Sequence, residues 1–139
     1  MKKEFLADFI NALIILLFLY AAFSKIADHS AFVRAMNNQP IPIVFRPVVI
    51  LLLPPVEILT ALLIIFKKSR IVGLYCFLTL MTIFSIYIAF ALLKLFPFMP
   101  CPCGGLLTKL RWPGHLALNI VFIGVGFLSL KLTKQHIDI

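Results

Sequence analysis

The chain has 139 residues, of which 63% are hydrophobic and only 13% charged, with a formal net charge of +8. Soluble domains carry roughly 25% charged residues, so this composition excludes an ordinary water-soluble domain and implies a single membrane-embedded unit over residues 1–139. The basic residues flank apolar runs and form no continuous face. That pattern excludes nucleic acid as a partner and fits the lipid bilayer and its anionic headgroups.

The first apolar block, about residues 5–27, follows "MKK" and is interrupted early by Asp8 and Asn11. It is longer than the apolar core of a signal peptide, and Lys25 stands where a cleavage site would be small and neutral, so it is expected to be a retained helix. The connection about 28–46, "DHSAFVRAMNNQPIPIVFRP", begins with Phe32, Val33 and Met36 on one helical face, which predicts a short amphipathic helix in the interface. Pro40 and Pro42 end it.

The second block, about 47–66, contains "LLLPPVEIL". Pro54 and Pro55 remove two backbone donors and predict a kink or a locally unwound turn. Glu57 follows at mid-membrane depth, where an unpaired carboxylate is costly, so it should face the bundle interior. Lys25 is its nearest cationic candidate, and Tyr20 is a second hydrogen-bonding one. The third block, about 71–95, carries Cys76, read as an inert small hydrophobe.

The connection about 96–111, "FPFMPCPCGGLLTKLR", holds Cys101 and Cys103. A disulfide across one residue closes a tiny, strained ring, which makes it labile and reactive rather than a staple. Three readings of the pair stand side by side: thiol–disulfide exchange, unpaired thiols, or soft Cu(I) or Zn ligation together with His115. The fourth block, about 112–132, starts "WPGHLALN", with Trp112, His115 and Asn119 on one helix face. Histidine beside a thiol can stabilise a thiolate or carry its proton. The nine residues "KLTKQHIDI" read as a short tail.

Each block reaches the roughly 20 residues that cross a hydrocarbon core, and strand alternation is absent, so the expected fold is an all-α four-helix membrane bundle. Seven Lys and Arg (Lys2, Lys3, Lys67, Lys68, Arg70, Lys131 and Lys134) lie on the side of the termini, against Arg34, Arg46, Lys109 and Arg111 on the other when Lys25 and Lys94 at helix ends are set aside. Both termini are therefore expected to be cytoplasmic and both long connections outward-facing.

Three stretches together resemble the MauE branch of the DoxX-like membrane proteins: "YAAFSKIADHSAFVRAMNNQPIP", "PPVEILTALLII", and "CPCGG" followed by "WPGHLALN". The resemblance covers almost the whole chain. It implies a bacterial inner-membrane bundle tied to periplasmic thiol–disulfide chemistry, with a thioredoxin-like partner, as MauE is linked to maturation of the disulfide-rich small subunit of methylamine dehydrogenase. More distant DoxX-like members are connected to quinone-dependent oxidation, which makes a quinone the candidate cofactor and Trp112 and Asn119 candidate wall residues for it. On this reading Cys101, Cys103 and His115 carry an oxidoreductase activity. The rival is a non-enzymatic subunit that docks or stabilises a larger envelope assembly.

Overall fold

In a computed structural model, which describes residues 2–39, 41–93 and 112–137, the chain forms five helices: α1 Lys2–Ala27, α2 His29–Asn37, α3 Arg46–Ile65, α4 Arg70–Leu92 and α5 Trp112–Ile137. All but α2 are long and apolar enough to cross a membrane. Among the described residues there is no strand. The protein is a multi-pass, all-α membrane bundle.

The long helices form a ring in which α1 packs on α3 and α5, and α4 packs on α3 and α5. One end of the ring holds the starts of α1 and α4 and the tight 66–69 connection, and is called the hairpin end here. The opposite end holds α2 and the junctions into α3 and α5, and is called the loop end. With no water to receive backbone groups in the hydrocarbon, helices are the spanning form open to such a chain. Lipid-facing surfaces stay apolar, as exposed Phe9, Leu16 and Leu51 illustrate.

Ile14, Phe18, Ile64, Leu74 and Phe77 are almost wholly buried and make the centre of the core. Phe18 and Phe77 meet across the ring, with centroids 4.8 Å apart and planes tilted by 54°. Such a tilted pair contributes about 0.5–1.5 kcal/mol beyond its buried area. Two glycines let helices approach. A Cβ on Gly73 would stand 2.8 Å from the backbone nitrogen of Ile64, and one on Gly126 would stand 2.8 Å from Leu78 Cδ2.

Polar groups at the hairpin end largely satisfy one another. Ser129 Oγ donates to the Asn11 carbonyl oxygen in the α1–α5 seam, while Asn11 Nδ2 and Thr133 Oγ1 have no hydrogen-bond partner among the described residues. At the rim, Arg70 pairs with Asp8 at 3.0 Å, His136 with Glu4 at 3.1 Å, and Lys134 donates to the Tyr75 hydroxyl at 2.6 Å.

Two local expectations change. The tandem prolines do not unwind α3, whose helical residues run through Pro54 and Pro55 without a break. Only the donors to the carbonyls of Ile50 and Leu51 are lost, and packing on α1 and α4 holds the remainder. Second, α5 continues to Ile137 instead of ending near 132, with Lys134 and His136 of the added turn tied back to α4 and α1. The short amphipathic helix expected after α1 is present as α2, with its apolar face turned to the bundle. Asp28 caps it by accepting from the amide of Ala31, and Phe32 and Met36 are buried against the bundle, with Val33 half-buried.

Candidate functional site

Lys25 lies on the inward face of α1, three residues beyond Ala22 and seven beyond Phe18, both buried. A lysine there must find an anion, because hydrocarbon offers no hydration. Its ammonium donates to both carboxylate oxygens of Glu57, at 3.1 and 3.3 Å, and to the Ala21 carbonyl at 3.1 Å. Glu57 is 3% exposed and Lys25 8%, so the pair is sealed from bulk solvent and Glu57 faces the bundle interior. Taking both charges out of water costs several kcal/mol per ion, and close pairing with satisfied donors offsets that cost. Phe32 of α2 lies 6.0 Å from the ammonium, so the docked face of α2 covers the pair.

Gln39 and Tyr87 form a second buried polar contact. Gln39 is 2% exposed; its Nε2 donates to the Ala35 carbonyl at 3.2 Å, and its Oε1 accepts from the Tyr87 hydroxyl. The bond joins the segment after α2 to α4 and so ties the lid to the bundle wall.

Between these two contacts and α5 lies a cavity of about 330 Å³. Lys25, Glu57, Gln39, Tyr87, His115 and Asn119 reach it, and Phe18, Leu53, Met81 and Phe84 supply apolar wall. His115 and Asn119 stand one turn apart on α5, which is why both reach one space. The Asn119 amide has no hydrogen-bond partner among the described residues. A volume in the roughly 300–1,000 Å³ range, apolar walls and a few convergent polar groups are the features of a small-ligand site.

Of the residues singled out in the sequence, the structure brings together Lys25, Glu57, His115 and Asn119. Tyr20 is 40% exposed and does not line the cavity. Trp112 opens α5, but its side chain lies outside the described residues, as do Cys101 and Cys103. Two of the three ligands in the metal reading are thus outside them as well; among the described residues no three His, Cys, Asp or Glu side chains gather. Cys76 is free and half-buried on α4. Sequence reasoning missed Gln39 and Tyr87. The available signal was the spacing of Tyr87 from Phe84 and Met81, which places it beside an inward face.

Residues 3–132 match the family model described as methylamine utilisation protein MauE, which covers nearly the full chain. No curated protein and no solved structure matches it. The chain belongs to the MauE family.

Proposed function

We propose, from membership of the MauE family, that the protein is a bacterial inner-membrane thiol–disulfide redox protein working through Cys101 and Cys103. The family gives a membrane protein of a redox- or electron-related system. One observation supports the finer reading. The polar cavity lies at the loop end, where α4 stops at Leu92 and α5 starts at Trp112, and the connection between those helices carries both cysteines.

The exchange is a balanced transfer. A thiolate of one protein attacks a disulfide sulfur of the other, a mixed disulfide forms, and the neighbouring thiol resolves it. One protein leaves with a disulfide, the other with two thiols, and two electrons and two protons have moved. The partner is a periplasmic thioredoxin-fold protein, in keeping with termini on the cytoplasmic side. His115 holds or carries a proton beside the cysteine connection. A quinone suits the cavity by its size, its apolar walls and the Asn119 amide that reaches it, with Asn119 and His115 as the side chains that would hold it. When bound, a quinone supplies a lipid-soluble acceptor or donor of two electrons and two protons.

The test is Cys103→Ser, and in parallel Cys101→Ser, in native membranes. The expected result is a reductant-sensitive adduct with a thioredoxin-fold protein, identified by mass spectrometry, and wild-type thiols that alkylate only after reduction. Impermeant labelling of reduced intact cells should reach both cysteines from outside the cytoplasmic membrane. Thiols that alkylate freely before reduction, with no adduct from either variant, would overturn the redox reading and favour a docking subunit.

A further inference from the structure

A second concavity lies on the other side of α3, facing away from the bundle interior. It is a groove of about 930 Å³ floored by α3, with Ile50, Leu51 and Pro55 along its length and His29, Asn37 and Arg46 at its mouth. His29 and Asn37 are the two ends of α2, so α2 overhangs the mouth. This makes a niche, which a plain lipid-facing helix does not offer.

Arg46 gives the mouth its charge. It is only partly exposed, and its guanidinium is held by backbone: Nε donates to the Ile41 carbonyl at 2.9 Å and Nη2 to the Gln39 carbonyl at 3.1 Å. Carbonyls orient the group without neutralising it, and Arg46 has no carboxylate partner among the described residues. The rest of its fork of donors is the geometry that binds phosphate oxygens well. It also sits at the start of α3, where the helix dipole favours an anion.

We infer that this groove holds an anionic phospholipid, with its phosphate on Arg46 beneath α2 and an acyl chain along α3. The scale agrees. One leaflet of the hydrocarbon core is about 15 Å deep, and at 1.5 Å per residue that is about ten residues of helix. A chain hung from Arg46 therefore runs past Ile50 and Leu51 and covers the proline step. Charge agrees as well, since the whole chain carries +8. The inference is independent of the redox reading, because neither cysteine takes part in it and the cavity residues Gln39 and Ile41 enter only through backbone carbonyls.

Native mass spectrometry of protein taken from vesicles of equal phosphatidylglycerol and phosphatidylcholine content provides the test. The wild type should retain one phosphatidylglycerol, preferred over phosphatidylcholine by about fivefold, the factor one basic residue supplies near an anionic surface. Arg46→Gln should abolish the preference. Leu51→Trp, which fills the groove and leaves Arg46 untouched, should abolish retention of either lipid, and it remains decisive if Arg46→Gln does not fold. Equal retention of both lipids by the wild type would overturn the inference. So would unchanged phosphatidylglycerol retention in Leu51→Trp, or co-purification of an apolar peptide seated in the groove in place of lipid.

Discussion

The two halves of the bundle interior use polar residues in opposite ways. At the hairpin end, Asn11 and Ser129 meet in a closed seam, and close helix contact through Gly73 and Gly126 leaves little space around the neighbouring core. At the loop end, Lys25, Glu57, Gln39, Tyr87, His115 and Asn119 surround space that a ligand can fill. Buried polarity by itself therefore does not mark the site. Polarity beside unfilled volume does, and that separates a helix-joining contact from a binding wall.

The contrast can be broken most forcefully at the ion pair. Glu57→Gln leaves a buried, uncompensated ammonium, and the expected loss is about 3–5 kcal/mol, read as thermal unfolding in detergent. The double change Lys25→Met, Glu57→Leu removes both charges and should recover most of that loss. If the single and double variants melt alike, the pair is not what the loop end depends on.

Packing at the hairpin end ranks next. Gly73→Ala drives a Cβ into the backbone of α3 and should cost about 1–3 kcal/mol. Gly124→Ala meets nothing within 4 Å and should be neutral or stabilising by up to about 1 kcal/mol through helix propensity. Equal melting points for the two alanine variants would contradict the close approach at Gly73. The seam itself should be nearly silent: Asn11→Leu with Ser129→Ala removes both partners and an unsatisfied amide nitrogen, which is expected to be close to neutral. A loss of several kcal/mol in that double variant would assign the seam a larger role than joining helices.

The smallest stability effect belongs to His115, which is half-buried on the cavity wall. His115→Ala should move the unfolding free energy by no more than about 0.5 kcal/mol, yet slow alkylation of the reduced cysteines near neutral pH. An unchanged alkylation rate across pH would leave His115 without a part in thiol chemistry.

How much of this was legible beforehand depended on contrast with the surroundings. Glu57 and Lys25 are conspicuous because charge inside an apolar run is costly, and cost forces a partner. His115 and Asn119 were legible because their four-residue spacing puts them on one face. Gln39 was not legible. It follows Asn37 and Asn38 in a segment that reads as a solvated turn, and only the docking of Phe32 and Met36 carries it inward. Tyr87 near a helix end reads as an interfacial anchor. The Asn11–Ser129 contact joins residues 118 apart in the chain, and a serine in a helix carries no sign of a distant partner. Of the kink or unwound turn expected at Pro54–Pro55, the unwound turn is absent for the same general reason: local donor loss was visible in the sequence, whereas the neighbouring helices that absorb it were not.

The Phe18–Phe77 contact has an electrical consequence. Between Asn11 and Lys25, about 21 Å apart along α1, the inward positions Ile14, Phe18 and Ala22 are all apolar and buried. The ring pair lies in this stretch as an apolar plug between the closed Asn11–Ser129 seam and the polar cavity, and these α1 positions offer no side chain as a step for a hopping proton. A membrane potential of 100 mV acts on each unit charge with about 2.3 kcal/mol, and the plug keeps that field from driving leakage through the bundle. On the proposed redox function, protons released or consumed beside Glu57 and His115 would therefore exchange with the loop end's own side of the bilayer.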